Sequence, residues 1–192
     1  MSILATLKER TQPHHERVEA NLGVMDPGLT RDAYRVLLAR FRGFHLPVER
    51  RLDALAAWEA LGLRADERRK TSWLEADLRA LGMDEDALAR LPVCSALPAL
   101  ETVDHALGCL YVLEGATLGG AFISRHLART LGIDAGSGGA FFASYGERRG
   151  PMWKSFGRAL ESYVERRGGE EEILAGARDT FITLDHWLTR PS

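Results

Sequence analysis

"LGCLYVLEGATLGGAFISRHLARTL", residues 107–131, decides how this chain is read. Apolar residues recur along it at helical spacing, and helix-favouring residues fill the gaps. Yet Gly115, Gly119 and Gly120 crowd into six positions. Each glycine inside a helix costs about 1 kcal/mol relative to alanine. Three cost roughly 3 kcal/mol, a large share of a typical total stability of ~5–15 kcal/mol. Some feature of the fold or of a ligand has to need those side chains removed.

Outward from this stretch the pattern stays helical. β-branched alternation is absent, and Ala, Leu, Arg and Glu dominate. A first helix is expected over Ser2–Leu22. Leu4, Leu7, Thr11, His15, Val18 and Leu22 form one face of it, and Pro13 should bend or restart it. A second starts at the N-cap Thr30 and turns Tyr34, Leu37, Leu38, Phe41 and Phe44 inward. It kinks or breaks at Pro47. A third covers Ala65–Leu81, with Trp73, Leu74 and Leu78 inward and Gly82 as its stop. A short helix in "DEDALARL" ends at Pro92, and "VCSALPAL" is a connector. The glycine-bearing helix runs from Glu101 to Gly132. A glycine-rich loop follows, then helices over Met152–Arg167 and Glu170–Leu188. With no repeat and no linker, residues 1–192 read as one all-α domain, a helical bundle.

Composition bounds the function. Hydrophobic residues are 45%, charged residues 27%, and the net charge is −2. That gives no basis for general binding to nucleic acid or to an anionic membrane. Two cysteines, Cys94 and Cys109, do not make a disulfide scaffold and fit a reducing cytoplasm. "MSILATLKERTQ" lacks the apolar core of a signal peptide. No uninterrupted run of apolar residues reaches membrane-spanning length, roughly 18 residues. The Glu-x-x-His di-iron pair, the His-Glu-x-x-His zinc motif and the phosphate loop are all absent.

Several residues carry candidate chemistry. His15 lies on the apolar stripe of the first helix, whereas His14, about 100° around, should tend to solvent. A histidine there is a packed core residue or a metal ligand. Lys8, nearly two turns earlier, points the same way as His15. It either snorkels or places a cation at the rim of whatever His15 binds. Gly115 and Gly119 are four apart and clear one strip of helix surface, which Gly120 widens. That strip serves close helix packing or the approach of a flat ligand. Glu114 and Arg125 argue against a membrane dimer motif. Tyr111, four before Gly115, lies on the same side. Lys154 and Arg158, also four apart, form a solvated edge or a pair of cations for carboxylates. Asp185 and His186 are neighbours on different helix faces, which makes a poor dyad.

Taken together, these residues resemble the heme oxygenase family, particularly its bacterial members. The carrying motifs are "LKERTQPHHERVE" at 7–19 and "LYVLEGATLGGAFI" at 110–123. "MWKSFGRALESY" and "ARDTFITLDHWL" near the C-terminus add to them, so the likeness spans about residues 4–188. The resemblance implies an all-α fold with heme sandwiched between a proximal and a distal helix. It implies that His15, flanked by Thr11 and Glu19, is the iron ligand. Gly115 and Gly119 would form the distal wall, with Gly120 beside them. Lys8, Lys154, Arg158 and Tyr111 would contact the propionates, and Phe181 falls at an aromatic position of the last helix. Ala116 replaces the aspartate that many animal members carry after the first distal glycine, so the distal water network has no evident side chain.

The implied activity is oxidative cleavage of heme to biliverdin, with CO and ferrous iron released. Heme is then both cofactor and substrate, O2 the oxidant, and an external redox protein the electron donor. A bilin-binding photoreceptor is the implied downstream partner. The alternatives are a non-catalytic heme carrier or sensor, a helical interaction protein with packing glycines, and a thiaminase-like enzyme using Cys109.

Overall fold

The computed structural model describes residues 2–55 and 57–190; Met1 and Ser192, the ends of the expected domain, lie outside them. Helix α1 spans Ile3–Leu22, with the Ser2 hydroxyl accepting from the Ala5 amide at 3.3 Å. It runs unbroken through Pro13, so the expected restart does not occur. Pro13 lies on the exposed face, where its ring does not compete with the buried Leu7, Thr11 and Val18. Helix α2, Arg31–Asp53, likewise continues through Pro47. Its burial of Tyr34, Leu37, Leu38, Phe41, Phe44, Val48 and Leu52 outweighs one lost backbone hydrogen bond.

Helix α3 begins at Thr71, not at Ala65, and ends at Ala80. The Glu49 carboxylate of α2 explains the late start. It accepts from the Lys70 amide at 2.7 Å and from the Thr71 amide at 3.2 Å, capping α3 from outside. A 3-10 turn over Asp66–Arg68 precedes it and turns Arg68 inward. Trp73 is only half-buried and packs edge-on against Tyr145. Helix α4, Glu85–Ala89, is capped by Asp84.

The glycine-bearing stretch is two helices and a kink. Helix α5 is Val103–Gly115, a 3-10 turn covers Ala116–Gly119, and α6 is Gly120–Leu131. A short α7, Ala140–Ala143, sits in the glycine-rich loop. The buried Asp77 of α3 fixes it by accepting from the Ala140 and Phe141 amides, each at 2.8 Å. Helices α8, Arg149–Arg167, and α9, Glu170–Leu188, complete the chain. No strand occurs among the described residues.

Helix α9 is the spine: α5 and α1 both pack along it, and α2 crosses it. Two glycines let α5 and α9 approach. A Cβ at Gly108 would lie 2.5 Å from the Ala177 nitrogen, and one at Gly176 would lie 2.6 Å from the His105 Cα. Backbone cannot yield as a side-chain tip can. Gly108→Ala is therefore expected to cost about 1–3 kcal/mol through overpacking. Thermal unfolding should show a Tm lowered by several degrees, at ~2–4 °C per kcal/mol for this chain length; an unchanged Tm would mean the two helices can slide apart. The α1 edge of the spine is polar. Buried Asp185 of α9 pairs with Arg17 at 2.7 Å and accepts from Asn21 at 2.6 Å.

Val103–Leu131 is long and apolar enough to cross a membrane on composition. More than half of its most apolar window is buried inside the fold, as a core helix requires.

Candidate active site

The buried stripe of α1 opens at His15. Leu7, Thr11 and Val18 are buried, but the His15 side chain is 50% exposed. His14, expected to be the solvated one, is less exposed than His15. The ring of His15 is oriented on two sides. Its Nδ1 lies 3.6 Å from Glu19 Oε2, one turn on. The buried Phe181 ring of α9 meets it edge to face at 5.9 Å. With Nδ1 directed at a carboxylate, Nε2 is the nitrogen left to act as a ligand. Glu19→Gln should therefore weaken heme affinity about 10-fold, the low end for a ligand-orienting partner, because Glu19 is largely exposed. Hemin titration followed in the Soret region checks this, and an unaltered affinity would remove Glu19 from the site.

Tyr111 bridges from α5 to α1. Its hydroxyl is hydrogen-bonded to the Thr11 side chain, and burial raises its pKa above the ordinary phenol value. Thr11 is its partner within the chain, and the propionate is the partner the resemblance implies for it beside bound heme. Trp153 of α8, which the sequence reading did not single out, packs 5.9 Å from the Tyr111 ring. A Cβ at Gly115 would lie 3.8 Å from that indole.

The three clustered glycines do different things. No described atom comes within 4 Å of a Cβ built at Gly119, so that position faces open space. Gly115 has room for a methyl group beside Trp153. Gly120 is buried, and a Cβ there would collide with the Phe142 carbonyl. The expectation that Gly120 widens the cleared strip is corrected: its missing side chain admits the loop around α7. Ala116 is exposed on the kink.

The expected propionate cations lie on α1 and α8, which pack together. A Cβ at Gly157 would stand 2.9 Å from Leu4 Cδ1, which marks the crossing. Lys8 is one turn beyond Leu4, while Lys154 and Arg158 flank Gly157. All three are exposed.

Other candidates fall away. Cys109 is fully buried and its thiol is pushed up to about 12 by desolvation, which makes it an inert core residue and no nucleophile. Asp185 belongs to the α1–α9 contact, and His186 is exposed on another face. No group of three or more His, Cys, Asp or Glu residues suited to a metal occurs among the described residues.

What the sequence reading missed is a buried charge cluster. Glu114 is 1% exposed and pairs with Arg68 and with Lys70, the latter at 2.7 Å. Tyr145 donates to it at 2.8 Å. Burial and the neighbouring carboxylate push the Tyr145 hydroxyl pKa up. A lone carboxylate in the otherwise apolar stretch 106–115 was the available signal.

The donor set suits heme. One histidine with a free, outward nitrogen can hold an axial position. An open strip at Gly119 can admit a flat ring. Three exposed cations on α1 and α8 can meet two carboxylates. An all-α heme-binding fold is the class this arrangement defines. The heme oxygenase family model matches residues 1–190, and the chain belongs to the heme oxygenase family. It is 31% identical over 190 residues to heme oxygenase PigA of Pseudomonas aeruginosa, covering 94% of this chain and 88% of that protein. Solved structures share the fold. The NO- and CO-bound heme oxygenase of Neisseria meningitidis gives a TM-score of 0.82 at 24% identity, covering 98% of this chain and 90% of that one. Heme oxygenase-1 of the cyanobacterium Synechocystis, in complex with heme, gives 0.77 at 15%, covering 98% and 91%.

Proposed function

We propose that residues 1–192 form a single heme oxygenase domain that cleaves heme to biliverdin and releases CO and ferrous iron. The observation that carries this is His15: half exposed on a buried stripe, with Nδ1 toward Glu19 and Phe181 against its ring. Family membership across the chain favours turnover over a carrier or sensor role. Bound heme supplies the oxygen-binding iron and the porphyrin carbon that is oxidised.

The chain's own groups do the rest. His15 Nε2 is the iron ligand; neutral imidazole lacks the push toward O–O cleavage that a thiolate gives. Gly115, Ala116 and Gly119 would leave the distal wall low, with room for a small ligand beside the ring. Lys8, Lys154 and Arg158 hold the propionates and so set how the ring is rotated. Tyr111 supports the Thr11–His15 segment from α5. Electrons come from an external redox protein. The enzyme works in the cytoplasm, and a bilin-binding photoreceptor suits the product as a downstream acceptor.

The test is reconstitution with hemin, then ascorbate or a reductase under air. Biliverdin should form as the Soret band decays. A Soret band that persists without bilin would make the protein a carrier, and no Soret band at all would make it an interaction protein. Chromatography of the bilin against isomer standards would identify the meso carbon.

A further inference from the structure

We infer that Glu114 is a positioning residue: through Arg68, Lys70 and Tyr145 it clamps the near side of the distal kink, so that the wall over the ring is fixed at Gly115 and yields at Gly119. The inference rests on the heme oxygenase reading of the cleft.

The geometry runs through four elements. Glu114 is the last residue but one of α5, directly before Gly115 and the 3-10 turn. Its backbone carbonyl accepts from Thr117 Oγ1 at 2.7 Å, a local bond that competes with continuation of the α-helix. Its carboxylate takes Lys70 Nζ, the Arg68 guanidinium and the Tyr145 hydroxyl together. Arg68 reaches on to the Met152 carbonyl of α8 at 3.4 Å, one residue before Trp153. That indole is the group lying over Gly115. A single carboxylate thus ties the end of α5 to the turn before α3, to the loop before α8, and through Arg68 to α8 itself.

Two further observations show that the chain bears a cost for this arrangement. Ser144, directly before Tyr145, has φ 50° and ψ −129° although it is not glycine. Such backbone persists only where surrounding contacts hold it. Arg68 and Lys70 are themselves almost fully buried, so the carboxylate is the partner that lets both charges stay there. The turn between this clamp and Gly120, which packs on the Phe142 carbonyl, is built differently. Gly119 faces open space, and Ala116 and Leu118 are exposed. The part left free to move is therefore the short stretch around Gly119.

Substitution of Glu114 leaves two buried cations facing each other and risks loss of the fold, so Tyr145→Phe is tested beside Glu114→Gln. Hydrogen exchange is measured first, on the heme-free protein. Either variant should speed exchange of amides 112–119 by about tenfold or more, with amides of α9 within about twofold of wild type. In the ferrous heme complex, CO dissociation should rise several-fold while hemin affinity changes by less than about threefold. If Glu114→Gln fails to fold, Tyr145→Phe alone decides. Exchange accelerated equally in α9, or unchanged at 112–119, overturns the clamp. So does an unaltered CO dissociation rate. A wild-type protein that forms no heme complex would overturn the heme oxygenase reading instead, and the heme-free exchange result would still judge the clamp.

Discussion

His15→Ala is expected to remove the axial ligand and lower bilin formation by at least about 100-fold, beyond the ~10–100-fold typical of losing a ligand's supporting partner. The Soret band of the hemin complex should shift or collapse. The fold should survive, because the His15 side chain is half exposed and contributes mainly an edge contact with Phe181. Far-UV circular dichroism and Tm serve as the control. Imidazole added to the buffer should restore much of the wild-type spectrum, since the substitution leaves an imidazole-sized gap between Glu19 and Phe181. A normal Soret band in His15→Ala would move the ligand to another residue.

The second large effect separates the glycines. Gly119→Leu places a branched side chain in open space, so Tm should stay within a few degrees of wild type. Heme or oxygen binding should fall at least about tenfold, because the ring and the leucine compete for the same strip. Gly120→Leu should do the reverse: it collides with the Phe142 carbonyl and should unfold the domain, at a cost above ~3 kcal/mol. Thermal unfolding and hemin titration of the two variants, side by side, check both statements. If heme binding and turnover survived Gly119→Leu, the open strip at Gly119 would not be where the ring lies.

The sequence made part of this legible. The inward face of α2 follows from apolar periodicity, and all five residues expected on it are buried. The ends of α9 coincide with the expected ones, because a glycine pair precedes Glu170 and a capped turn closes at Thr189. His15 and Gly119 stand out because each violates its own helix pattern. What was hidden depends on residues far apart in sequence. The start of α3 is set by Glu49, more than 20 positions earlier, and no local propensity shows that. The distinct tasks of Gly119 and Gly120 depend on a loop carbonyl at residue 142. Trp153 became visible only once α8 was placed against α5. Both prolines failed as breakers because tertiary burial on the opposite helix face exceeds the loss of one hydrogen bond.

The central claim is where heme sits: between His15 of α1 and the kink at Gly115–Gly119. Hydrogen exchange with and without hemin locates the ring directly. Protection should appear at amides 11–19 and 115–121, and little elsewhere. Protection confined to the groove lined by Val36, Met83, Leu91 and Trp187 would contradict the account.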